Sequence, residues 1–75
     1  MRSPEWEKYV KDILSHVKFK YDHKYIYSEI MEHMEDLYNN LVNEGIDENE
    51  AIKLTVEYMG DSEEIGKALN KEHNP

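Results

Sequence analysis

Glu29, His33, Asp36 and Asn40 follow one another at spacings of four, three and four residues. On an α-helix that spacing stacks the four side chains along one ridge, close enough to meet. A histidine with a carboxylate one turn to either side has three uses. It can form a hydrogen-bonded network tying one helix to another, respond to pH or a metal ion, or act in acid–base catalysis. One helix supplies one histidine and two acids, with no evident second histidine to complete a metal set, so neither a metal nor a cofactor is expected. Catalysis is disfavoured too. No nucleophile stands beside a base, no glycine-rich loop could cradle a phosphate, and so short a chain has little room for a water-excluding pocket. His16, at the end of the first helical segment, His23 and His73 are expected to be solvated.

The same stretch carries the candidate interaction surface. Setting Ile26 to zero and advancing about 100° per residue, Ile26, Ile30, Leu37 and Leu41 fall on one half of a broad apolar arc. Tyr27, Met31, Met34, Tyr38 and Val42 extend it, while Ser28, Glu29, Glu32, Glu35, Asp36, Asn39, Asn40 and Asn43 lie opposite. The arc is wider than the stripe of about 100° that an ordinary surface helix buries. Either the other helices cover all of it, or the half with Tyr27, Met31, Met34 and Tyr38 stays open for a protein partner or a second copy. Met and Tyr suit adaptable interfaces.

The elements that must position these residues announce themselves by punctuation. Ser3-Pro4 opens a helix over 4–16, with Trp6, Tyr9, Val10, Ile13, Leu14 and Val17 on one stripe. The alternating Val17-Lys18-Phe19-Lys20-Tyr21 has no strand to pair with and reads as a connector, with Phe19 and Tyr21 packed inward. Asp22 is expected to cap a long helix over 23–44, stopped by Gly45 with Ile46 behind it. Asp47-x-x-Glu50 and Asp61-x-x-Glu64 have capping-box spacing and start helices over 48–59 and 62–70. Ala51, Ile52, Thr55, Val56 and Met59 form the inner face of the first, and Ile65, Ala68 and Leu69 that of the second. The tail beyond residue 70 has no helical period. The fold class is all-α: a compact bundle of about four helices in one domain spanning 1–75.

Charge limits the partners. The net charge is −8, and it is uneven. Residues 1–24 hold six Lys/Arg against four acids, and residues 25–75 three against thirteen. The larger part of the chain would be repelled by nucleic acid or an anionic bilayer, so no nucleic-acid partner is expected. The two last helices could suggest a helix-turn-helix, but eight acids against three lysines over 46–75 remove the electrostatic footprint of DNA binding. There is no cysteine, no apolar run of membrane-span length and no signal-peptide pattern, so the expectation is a soluble, cytosolic domain.

Three segments in order carry a family resemblance: Ile26-x-x-Glu29-Ile30-x-x-His33-x-x-Asp36, Glu44-Gly45-Ile46-Asp47-Glu48-x-Glu50-Ala51, and Met59-Gly60-Asp61-Ser62-Glu63-Glu64-Ile65. Together they resemble the bacterial HTH-associated α-helical signalling domain, also called the permease prefix domain, over about residues 13–74. Glu29, His33 and Asp36 match its helix-2 motif, and Gly45, Ala51, Gly60 and Asp61 its turns. Ser62 departs from the family's frequent proline. The ending through His73-Asn74-Pro75 looks like the version at the N-terminus of Firmicute membrane proteins, including FtsW/RodA/SpoVE-type proteins of cell-wall assembly. The resemblance implies a non-catalytic regulatory module on the cytoplasmic face of the cell membrane, joined to a span expected after Pro75 and acting through protein contacts. The alternative is a soluble ligand-, pH- or metal-responsive sensor built on Glu29, His33 and Asp36.

Overall fold

The computed structural model describes residues 3–73. Four helices form, α1 (Pro4–Leu14), α2 (His23–Asn43), α3 (Glu48–Met59) and α4 (Ser62–Glu72), with a 3-10 turn at Lys20–Asp22 and no strand among the described residues. The chain is an all-α bundle of four helices around one core.

Local chemistry accounts for most boundaries. Ser3 accepts from the Trp6 amide at 3.0 Å, and Pro4 occupies the first helical position. α1 ends at Leu14, two residues before the expected His16. There the hydrogen bonds tighten, His16 N–H to the Ile13 carbonyl and Val17 N–H to that of Leu14, while the Ser15 hydroxyl donates to Asp12 O. α2 ends in a Schellman arrangement. Gly45, at φ +97°, donates to Val42 O, and Ile46 donates back to Leu41 O at 3.1 Å. α3 keeps its expected bounds. Asp61 accepts from Glu64 N–H as a cap should, whereas Asp47 accepts from Asn49 N–H, one residue earlier than capping-box geometry implies.

Three expectations fail around the connector. Asp22 does not cap α2, because the 3-10 turn runs straight into the helix and leaves Asp22 in helical conformation. Its carboxylate faces His73 instead, with Nδ1 to Oδ2 at 2.8 Å. Tyr21 points into water, 89% exposed, since the turn rotates it off the face that an extended chain would give it. Phe19 is half-buried, with its ring 5.5 Å from that of Tyr21. α4 also continues to Glu72. Its last turn is held by tertiary bonds, Lys18 N–H to Asn70 Oδ1 at 2.8 Å and the His73–Asp22 pair, which no local period encodes.

Packing joins two helix pairs. α2 and α3 form one hairpin, and α4 lies beside α1, running the same way along it. Tyr9 Oη donates to Gly60 O, the Ser62 hydroxyl donates to Asp12, and Gly66 sits against Ile13 and His16. Gly66, rather than Ala68, joins Ile65 and Leu69 on the packed face of α4. Ala68 is exposed, while Gly66 is buried where a Cβ would lie 2.6 Å from the Ile13 carbonyl oxygen. Trp6 joins the two pairs. It is fully buried, meets Tyr38 edge-on with centroids 5.7 Å apart, and donates its indole N–H to Ile52 O at 3.1 Å. Ala51 and Thr55, both fully buried, keep the facing side of α3 low enough to admit it, with the Thr55 hydroxyl satisfied by Ala51 O.

Candidate functional site

The apolar arc of α2 is covered on both halves, with Ile26, Ile30 and Leu41 buried on one as Met31, Met34 and Tyr38 are on the other. Met34 is fully buried, Met31 and Tyr38 are buried, and Leu37, on the other half, is only half-buried. The Trp6 indole meets the Tyr38 ring edge-on, and Met34 and Tyr38 share one buried core with Trp6 and Ala51. Tyr27 is half-buried, and its hydroxyl donates to Glu7 of α1. Tyr38 donates to Glu48 Oε2 at 3.2 Å, closing the α2–α3 hairpin near its turn. Burial, then the bond and negative charge of Glu48, push the Tyr38 hydroxyl above its ordinary pKa. Tyr27, Met31, Met34 and Tyr38 therefore do not form an open docking face.

The polar ridge is the opposite case. Glu29, His33, Asp36 and Asn40 are all exposed on α2. None of their side chains bonds to another or to any other described residue. The network expected among them is not formed, and His33 faces water rather than the core. Among the described residues no three His, Asp or Glu side chains converge well enough to hold a metal ion. What the ridge offers is a row of hydrogen-bonding groups about 16 Å long, at 1.5 Å per residue, on the outer side of the longest helix.

The histidines set aside as solvated include two that do structural work. His23 has Nε2 2.6 Å from the Val17 carbonyl oxygen, and His73 pairs with Asp22. His23 closes the connector on itself, and His73, with the Lys18–Asn70 bond, fastens it to the end of α4. The sequence signal was present in Lys18-Phe19-Lys20-Tyr21-Asp22-His23-Lys24-Tyr25, whose basic and aromatic density no core position requires. A shallow open depression between α1 and the start of α4 is lined by Glu5, Lys8, Tyr9, Asp12 and Ser62. Its Tyr9, Asp12 and Ser62 groups are already bonded within the chain.

No helix among the described residues is long and apolar enough to cross a membrane. No protein-family model, curated protein or solved structure matches the chain.

Proposed function

We propose that this chain is a non-catalytic regulatory domain of the helical signalling, permease-prefix type. It is carried on the cytoplasmic side of a bacterial membrane protein of the FtsW/RodA/SpoVE kind, and acts by protein–protein contact through the α2 ridge. One observation carries this reading. Glu29, His33, Asp36 and Asn40 stand exposed on the longest helix with no bond to another described residue, while the apolar arc beside them is covered by the core. Polar side chains with no internal role are free to recognise a partner and can be changed without unfolding the domain. Support for the family comes from where the other matching residues sit. Gly45 and Gly60 take positive φ at the two turns, Ala51 is fully buried, and Asp61 caps α4.

The test has two parts. Reading the gene beyond Pro75 decides the context: hydrophobic spans there are expected, and a stop codon would sink the membrane-protein assignment. Affinity capture from the native cell is then compared between the parent and a Glu29→Ala/His33→Ala/Asp36→Ala variant with an unchanged circular dichroism spectrum. A partner held by the parent and lost by the variant is the expected result. Identical captures by both baits would remove the ridge from the proposal. The rival sensor reading on the same residues predicts heat on calorimetric titration with zinc, abolished by His33→Ala.

A further inference from the structure

We infer that the pole of the bundle formed by the connector and the end of α4 is a docking site for an anionic lipid surface. This does not rest on the ridge or on any membrane span. Lys18, Lys20, Lys24 and Lys71 are all exposed there, and none is ion-paired to another described residue. The bonds from Lys18 N–H to Asn70 and from His73 to Asp22 hold the connector and the last turn of α4 together as one surface. Tyr21 and Tyr25 project from it, 89% and 62% exposed. With Asp22 and the exposed Glu72 counted in, the pole still has more lysines than acids, opposite in sign to residues 25–70, which hold two lysines against twelve acids.

Folding does not explain these groups. The N-terminus of α2 is the positive end of its dipole, where acids stabilise and cations destabilise. Yet α2 has no acid in its first turn and carries Lys24 there, while Asp22 is drawn away to His73. Both tyrosine rings lie largely in water beside this charge, and although Tyr21 packs on Phe19, neither tyrosine belongs to the core. Local rules broken without a structural return mark a surface shaped for something else.

Charge and shape select the occupant. Lysines attract an anionic surface, and tyrosine rings settle at the headgroup level of a bilayer. The molecule is elongated, 43 × 19 × 19 Å, and the 21 residues of α2 separate this pole from the acidic turn Glu44–Glu50 by about 30 Å. That exceeds three Debye lengths of about 8 Å at physiological salt. A planar membrane meets the basic pole end-on and leaves the acidic flanks outside its field. A nucleic acid or acidic protein lying along the bundle would bring its own negative charge against those flanks.

Co-sedimentation of the chain with vesicles tests this. Vesicles of equal parts phosphatidylcholine and phosphatidylglycerol should retain the protein at low salt, pure phosphatidylcholine should not, and rising sodium chloride should release it. At roughly 1 kcal/mol per lysine near such a surface, each Lys→Ala change should lower partitioning about fivefold. Lys18→Ala/Lys20→Ala/Lys24→Ala together should lower it about a hundredfold, with the helical spectrum intact. Tyr21→Ser/Tyr25→Ser should weaken the binding that survives added salt. Equal binding to both vesicle types, binding to neither, or a triple-lysine variant that binds like the parent overturns the proposal. So does lysine-dependent binding to duplex DNA or polyglutamate without vesicle binding.

Discussion

Trp6 and Tyr38 show how single side chains organise this core. A buried indole or phenol must find a partner for its polar atom, and each finds one on α3, Ile52 O for Trp6 and Glu48 for Tyr38. Their edge-on contact then holds α1, α2 and α3 in one arrangement. Burial and the Glu48 carboxylate keep the Tyr38 hydroxyl neutral above its usual range, and burial with Asp61 does the same for Tyr9. A group whose folded pKa is raised supports the native state below its unfolded value near 10, and that support is lost as pH climbs through the folded value. The urea midpoint should therefore fall on alkaline titration above about pH 10. Tyr38→Phe should flatten that fall while leaving the midpoint near neutrality little changed. Superimposable alkaline limbs for parent and variant would contradict this account. The candidate ridge was legible at this scale because four polar residues at helical spacing need no tertiary information. Their lack of mutual bonds was not legible, since exposed side chains have water as an equal partner.

Among the elements, α3 was the easiest to read, with an acidic cap before it and Gly60 after it. The breadth of the α2 arc was readable as well, but not that the rest of the bundle covers all of it. That depends on the Trp6 ring meeting a low patch at Ala51 and Thr55, residues far apart in sequence. α4 was read least well. Its closest approach to α1 falls at an absent side chain, and periodicity counts apolar residues rather than gaps. Gly66→Ala tests this directly. Helix propensity alone would favour alanine by about 1 kcal/mol. The new Cβ, however, would lie 2.6 Å from Ile13 O and 2.8 Å from His16 Cβ, and a backbone oxygen cannot step aside. Overpacking of this kind costs about 1–3 kcal/mol, so thermal melts should show net destabilisation. A gain in Tm would mean that the α1–α4 approach is looser than described.

On the scale of the whole molecule, composition averages away the important feature. A net charge of −8 reads as repulsion from anionic surfaces, and the fold sorts that charge into a basic pole and acidic flanks. The connector could be seen as rich in Lys and Tyr. That α4 ends beside it, adding Lys71 and fastening it through Asn70 and His73, is a property of the chain path. The same path makes the bundle unequal in cohesion. Among the helices α4 packs on α1 alone, with only Gly66 buried and Ile65 and Leu69 half-buried. Segments with so little covered surface open on their own at a lower free energy than global unfolding. Amide protons of α4 should thus exchange with deuterated solvent by local opening, well ahead of those around Met34 and Tyr38, in a native-state exchange experiment. Uniform protection across all four helices would contradict that. When α4 lifts away, Lys18 and Asp22 lose Asn70 and His73 together, and the basic pole comes apart into two loose segments. A surface that gathers Lys18, Lys20, Lys24 and Lys71 would resist that separation, so an occupied pole should slow exchange along α4 far from Lys71, where the surface makes no contact.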